Sequence, residues 1–374
     1  MTQPRERHAP RARMPRAREA IFYALLLFLF AMLLRNSEEA VESVKTGLLL
    51  CARSAIPSLF PFMVLSELLM ESGLGTLLGK ALGKPLARLL SLPPEGCCSL
   101  LMGLGCGFPV GARSALTLYD EGTLSKRQFE RLLCFCNVPS SAFLINAVGF
   151  SLYGNRRFGI LLYVACVVGS VVIGIALGRR AETDPAPKFT PAHERKTLCV
   201  STFTRAVSSA TGAMLSVCAY ILFFSSVIGC LSHALDPLSL PAEAKALVYG
   251  SLEMTSGTAA ASLLKDPKAS TVLCAFLVGF GGLSVHFQLL SFCEGRCLNL
   301  TPCLVAKLAL GGLCAATTAT MLTLSPELIQ KGESISAFSY TYFSDNYTKL
   351  CLAIFSACIV LLIFSLVRRA CKRS

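Results

Sequence analysis

The sequence predicts an all-α polytopic membrane protein: about eight transmembrane helices plus two re-entrant helical hairpins, set out as an inverted repeat. Three observations carry this. Of the 374 residues 53% are hydrophobic and only 15% charged, with a mean hydropathy of +0.61; a soluble domain usually carries about 25% charged residues. Long apolar segments recur along the whole chain. Several of them are interrupted by glycine, proline and small polar residues, in an order that occurs twice. Unpaired backbone groups cost several kcal/mol each in hydrocarbon, so broken helices persist only where protein or a water-filled cavity covers them.

The net charge of +13 sits at the ends of spans. Arg5, Arg7, Arg11, Arg13, Arg16 and Arg18 precede the first apolar segment, and Arg368, Arg369, Lys372 and Arg373 follow the last. Arg179, Arg180, Lys188, Arg195 and Lys196 fill a central loop. This is the positive-inside pattern, so the expected partner is the lipid bilayer. No nucleic-acid module accompanies the charge, and no nucleic-acid partner is expected. Most of the eighteen cysteines lie in apolar segments, where cysteine behaves as a small hydrophobe. CxxC is absent and the four histidines are scattered, so neither a metal site nor another cofactor is expected.

Taken in order, residues 1–19 read as a basic cytoplasmic tail and 20–43 as an anchor helix with its loop. The apolar run Ile21–Leu34 also has the length of a signal peptide, but Arg35-Asn-Ser-Glu-Glu39 stands where a small-residue cleavage site would be. Residues 44–178 form repeat 1. It opens with a span, Val44–Met70, kinked by Pro57 and Pro61. A basic amphipathic helix at 73–92, with Lys80, Lys84 and Arg88 on one face, lies on the membrane surface. A hairpin follows at 100–118, interrupted by Gly103, Gly105, Gly107, Pro109 and Gly111. Ser125-x-x-Gln128 reads as a capping box for a helix that breaks at Asn137-Val-Pro139-Ser140-Ser141 and resumes to Tyr153. Phe158–Leu177 is an ordinary span.

Residues 179–202 are a basic cytoplasmic loop, and 203–324 repeat the pattern. There is a span at Phe203–Leu231 and an apolar segment, 246–264, broken by Glu253-Met-Thr255-Ser256-Gly257. The next span, Thr271–Phe292, is broken at Gly279-Phe-Gly281-Gly282, and Cys303–Leu324 is plain. An outer polar and aromatic loop at 325–347 leads to a last span and basic cytoplasmic tail at 348–374. With both termini cytoplasmic, re-entrant hairpins keep the loop 178–200 inside; fully crossing hairpins would move its basic residues outside. The two repeats then enter the membrane from opposite sides, a build shared by many secondary transporters. Arg156 and Arg157 are the exception, falling outside in a short loop.

Each break ends a half-helix and frees backbone groups. Pro109 and Pro139 suit the starts of half-helices, and Thr255 or Ser256 suits a cap in the second hairpin. The residues expected at a polar binding site are Gly105, Gly107, Pro109, Gly111, Asn137, Pro139, Ser140, Ser141, Glu253, Thr255, Ser256, Gly257, Gly281 and Ser284. For the serines and threonines the competing role is glue between helices. Glu253, a carboxylate in an apolar segment, either takes a proton or a coupling cation or pairs with Arg113. Glu67 and Glu71 are expected to snorkel at a span end. No nucleotide, P-loop or hydrolase motif has its structural context, so no enzyme is expected.

Leu101-Met-Gly-Leu-Gly-Cys-Gly-Phe-Pro109-Val-Gly111-Ala resembles the sporulation integral membrane protein family of the YlbJ type. Glu130-Arg-Leu-Leu-Cys-Phe-Cys-Asn137, Ala147-Val-Gly149, Val64-Leu-Ser-Glu67 and Leu252-Glu253-Met-Thr-Ser-Gly257 extend the resemblance. It implies a nucleoside-recognition gate domain in a multi-pass inner-membrane or forespore-membrane protein of spore-forming bacteria, needed late in spore development. The expected function is transporter-like: moving or gating a small polar solute, nucleoside-like among the options. The alternative is a non-transporting scaffold of a spore cortex complex. Sporulation membrane proteins or further copies of this chain are the expected protein partners.

Overall fold

A computed structural model describes residues 16–72, 86–179 and 200–324. Every regular element among them is helical, and they lie within one unit, Met1–Glu333. The amphipathic stretch up to residue 85, the basic loop at 180–199 and everything after 324 lie outside the described residues.

Helix α1 (Arg16–Arg35) carries the first apolar run and meets α2 (Ser37–Leu50) at a 92° bend. Asn36 makes that corner, donating from both its backbone N–H and its side-chain amide to the Met32 carbonyl. A π-helical turn, Cys51–Ala55, joins α2 to α3 (Ile56–Glu71). Helix therefore begins at Ser37, before the Val44 start expected from hydropathy. The wide turn precedes Pro57, and such turns accommodate a ring that would clash with the carbonyl four residues before it.

Next come α4 (Pro94–Cys106) and α5 (Val110–Asp120), the two arms of the first hairpin. Helix α6 (Lys126–Leu133) starts at the capping box: Gln128 N donates to Ser125 Oγ (3.2 Å), and Ser125 N to Gln128 Oε1 (2.9 Å). After an irregular stretch through Asn137–Pro139, the chain resumes as a π-helical segment, Phe143–Leu152. Helix α7 (Arg156–Arg179) completes this part, and Arg156 lies 4.7 Å above the Phe150 ring.

The second part opens with the long α8 (Val200–Leu235). It continues with α9 (Ala242–Leu252) and α10 (Met254–Ser262), then α11 (Pro267–Phe280), α12 (Gly282–Phe292) and α13 (Thr301–Leu324). Helix α13 packs on α11 and α7, while α8 packs along α2 and α3. One core cluster runs from Leu90 through the first hairpin and the irregular stretch to α13. A second, including Met63, Met102, Val110 and Met214, joins α3, α4, α5 and α8.

Among the described residues, four helical stretches are long and apolar enough to cross a membrane: Arg156–Arg179, Val200–Leu238, Pro267–Phe292 and Thr301–Leu324. The bent α1/α2 pair makes a fifth if counted as one span. The helix expected to break at Asn137–Pro139 and resume to Tyr153 is broken there, into a short α6 and the π-helical segment.

Candidate functional site

The first hairpin turns because Gly107, at φ +83°, ends α4 and Pro109 caps α5. Its arms approach unusually closely. A Cβ on Gly103 would sit 1.8 Å from the Cys136 carbonyl oxygen and 3.1 Å from Gly111 Cα; one on Gly111 would sit 2.2 Å from that oxygen. The hairpin thus clamps the backbone just before the Asn137–Pro139 break. Beyond it, Phe108 N donates to the Val138 carbonyl (2.8 Å). The tip of the hairpin and the break of the following helix are one assembly.

The second part builds the same relationship from different residues. Glu253, extended at φ −142°, ψ 119°, separates α9 from α10, and its carboxylate caps α10. Oε1 accepts from Thr255 N (2.9 Å), while Oε2 accepts from Ser256 N (2.7 Å) and Ser256 Oγ (2.8 Å). The cap is Glu253 itself, where Thr255 or Ser256 had been expected: the longer side chain reaches two amides at once. Gly250 and Gly257 bring the arms together, a Cβ on Gly257 falling 2.0 Å from Gly250 Cα. Gly281, at φ +86°, ends α11, and a Cβ on Gly282 would fall 2.9 Å from the Gly250 carbonyl and 3.0 Å from Met254 N. Here too the break packs on the hairpin tip.

Both tips, the first break and the start of α12 just after the second break line one small cavity of about 30 Å³. Phe108 comes from the first tip, Pro139 and Ser140 from the first break. Glu253, Met254 and Thr255 come from the second tip, and Ser284, Val285 and Gln288 from α12. Ala55, Leu59, Val217 and Ile221 add apolar wall from the turn before α3, from α3 and from α8. A cavity holds a water for each ~10–15 Å³ measured this way, so this one has room for about two. Ser284 Oγ and Gln288 Oε1 are buried, with no hydrogen-bond partner among the described residues.

Of the expected site residues, Pro139, Ser140, Glu253, Thr255 and Ser284 line this cavity. Gly107, Pro109, Gly111, Gly257 and Gly281 shape the tips and breaks without lining it, and Ser256 serves the Glu253 cap. Ser141 lies beside the break. Gly105 is exposed, with no atom within 4 Å of a Cβ placed on it. Asn137 is buried; its main-chain carbonyl accepts from Lys307 Nζ, and its Oδ1 has no partner among the described residues.

Two residues went unnoticed in the sequence, each with a signal. Gln288 lies one helical turn beyond Ser284 on the same face. Lys307 is a lone charge in the apolar α13, and such charges mark functional sites.

The alternative pairing of Glu253 with Arg113 does not occur. Arg113 Nη2 lies 2.8 Å from Glu67 Oε1 and donates to Ser209 Oγ (2.6 Å), one turn into α5 where α3 and α8 are nearer than α10. Glu67 therefore holds a partner instead of snorkelling, and Glu71 pairs with Arg205 of α8 (2.8 Å). Among the described residues no three His, Cys, Asp or Glu side chains gather in a group that could hold a metal ion.

Residues 52–156, which span α3, the first hairpin and the first break, match the Gate family, described as nucleoside recognition. The chain is 28% identical to the sporulation integral membrane protein YlbJ of Bacillus subtilis (strain 168) over 335 residues, 80% of this chain and 81% of that protein. No solved structure matches. Residues 52–156 thus resemble the Gate family, and the chain is a multi-pass integral membrane protein similar to the sporulation protein YlbJ.

Proposed function

We propose that this chain is a transporter-like membrane protein of sporulation that moves or gates a small polar solute through the cavity where the four helix breaks meet. One observation carries the reading: two hairpin tips and two broken helices, from separate parts of the chain, converge on one buried space. Ser284 and Gln288 line it, and their buried side-chain oxygens have no hydrogen-bond partner among the described residues. Buried polar groups are normally hydrogen-bonded, so such oxygens suit a polar occupant. The Gate match over 52–156 and the name of the similar sporulation protein support the same class, and a nucleoside-like solute is one option.

The inverted repeat, 44–178 against 203–324, is part of this proposal. It is supported by the matched glycine contacts, Gly103 with Gly111 and Gly250 with Gly257, and by each break packing on its own hairpin tip. The proposed sidedness is supported by contacts between distant loops. Arg296 meets Asp120, Asn299 N donates to Glu130, and Ser91 Oγ donates to the Gly178 carbonyl, all on the proposed cytoplasmic side. Tyr153 Oη donates to the Ser270 carbonyl on the other. The protein would lie in the inner or forespore membrane with both termini cytoplasmic. Glu253 would take a coupling proton or cation in a state where its cap opens.

Uptake of labelled nucleosides and other small polar metabolites into proteoliposomes tests this. Ser284→Ala and Gln288→Leu should lower the flux of the accepted solute. Flux that both variants leave unchanged would remove this cavity from the path.

A second reading has its own observation. Room for about two waters is far too little for a nucleoside, so transport requires the tips to part. A protein that never opens would be a scaffold for other sporulation membrane proteins or for further copies of itself. Spore formation would then depend on the surface loop 178–200 and not on Glu253 or Asn137, which complementation by loop and cavity variants distinguishes.

A further inference from the structure

A second cavity lies between α3, α5 and α8, outside the meeting point of the four breaks. It encloses about 190 Å³ against about 30 Å³ there. Glu67 and Arg113 face it as a contact pair, with Ser66, Ser114, Thr117 and Ser209 completing its polar wall. Three of these hydroxyls have already spent their protons: Ser66 Oγ donates to the Met63 carbonyl (2.8 Å), Thr117 Oγ1 to the Arg113 carbonyl (3.1 Å) and Ser209 Oγ to Glu67 Oε1 (3.3 Å). What they can still offer an occupant is lone pairs.

The charges decide what such a space can hold. Glu67 and Arg113 sum to zero, so an ion of either sign would gain from one partner and lose to the other at nearly the same distance. A molecule carrying both charges avoids that conflict. Its carboxylate can take the Arg113 guanidinium, the preferred partner of a planar anion. Its ammonium brings three donors, for the Glu67 carboxylate and the Ser66 and Thr117 oxygens. One internal contact is thereby exchanged for two. On the scale used for the four-break cavity the space has room for on the order of a dozen waters, enough for a small amino acid.

We propose that the α3–α5–α8 cavity is a binding site for a small zwitterionic solute of the amino-acid type, recognised by Arg113 and Glu67 together. A second ion pair stands beside it: Glu71 and Arg205 lie one turn from Glu67 and Ser209 on the same two helices. Val110 lines this cavity and Phe108 the other, so both cavities border the first hairpin's tip. The assignment does not depend on what the four-break cavity carries.

Calorimetric titration of the purified full chain in nanodiscs tests it, with glycine, alanine and serine as probes and propionate and ethylamine as single-charge controls. The zwitterions should bind and the controls should not. Glu67→Gln and Arg113→Gln should each weaken binding about tenfold or more, equivalent to ~1.4 kcal/mol. Should either variant misfold, the double variant E67Q/R113Q keeps an uncharged hydrogen-bonding pair and should abolish binding while melting like the wild type. Gln288→Leu, in the other cavity, should leave binding intact; lost binding in that variant would assign the solute to the four-break cavity instead. No heat from any zwitterion, equal binding of propionate or ethylamine, or full binding by the folded double variant would each overturn the proposal.

Discussion

Lys307 of α13 is fully buried and donates its ammonium to the main-chain carbonyl of Asn137, the residue at which the first broken helix comes apart. Neither residue could be paired with the other from sequence, since 170 positions separate them. The contact ties a plain helix of the second part to the break of the first. It also gives one freed carbonyl a donor, which a broken helix in an apolar setting needs.

Replacing Lys307 by Met sets two costs against each other. The variant leaves the Asn137 carbonyl unpaired, worth about 1–3 kcal/mol. It also removes a buried ammonium that meets no carboxylate among the described residues, and an unpaired buried ion costs several kcal/mol even after relaxation. The second effect is larger, so Lys307→Met should melt at the wild-type temperature or above by circular dichroism. Its solute flux should nevertheless fall, because the break loses its charge. A clear drop in melting temperature would show that the ammonium is compensated by a partner outside the described residues.

The close approach of the first hairpin's arms predicts a contrast between neighbouring glycines. Gly103→Ala drives a Cβ to 1.8 Å from the Cys136 carbonyl, and backbone cannot step aside as a side chain can. Overpacking of a core commonly costs about 1–3 kcal/mol, and this case belongs at or above the top of that range. Gly105→Ala meets nothing within 4 Å, and alanine is about 1 kcal/mol better than glycine inside a helix. It should be neutral or stabilising. Parallel melts of the two variants check the pair, and equal effects would mean that the arms do not clamp Cys136.

Glu253 offers a way to separate folding from function. Glu253→Ala removes an N-cap and leaves the Thr255 and Ser256 amides unsatisfied, each worth about 1–3 kcal/mol when buried. Glu253→Asp keeps a carboxylate of a type favoured at N-caps and should retain most of the stability. It also withdraws the charge from the cavity by one methylene. If Glu253 serves transport as well as capping, the Asp variant should fold normally and transport poorly. Normal flux with normal folding would leave the carboxylate a cap and nothing more.

How much of this was legible depended on the kind of signal. Gly, Pro and capping residues act on their immediate neighbours, so the breaks at Gly107–Pro109, Asn137–Pro139, Glu253 and Gly281–Gly282 and the Ser125–Gln128 box could be placed from local chemistry. What those breaks touch could not. Glu253 was the one partner considered for Arg113 because two apolar segments can approach in several registers, and only packing against α3 chose Glu67. Gln288 escaped notice because it follows the break by a full turn, although helical spacing from Ser284 pointed to it. Gly105 shows the opposite error: a glycine-rich run draws attention to every member, but only those between the arms are crowded.

The proposed sidedness makes a prediction about loops that lie far apart in sequence. Arg296, in the turn between α12 and α13, donates from Nε to Asp120 Oδ1 (2.9 Å) and from Nη2 to Oδ2 (2.6 Å) at the end of α5. Both side chains are substantially exposed, so the pair contributes at most about 1 kcal/mol and its removal should hardly move the melt. Its value lies in position. In a background from which the eighteen native cysteines have been removed, Asp120→Cys with Arg296→Cys should be joined by a short bismaleimide. A membrane-impermeant maleimide should reach both from the cytoplasmic face alone. Tyr153→Cys and Ser270→Cys should be reached only from the opposite face, after loosening of their buried contact. If all four positions label from one side, neither broken helix crosses the membrane and the inverted arrangement fails.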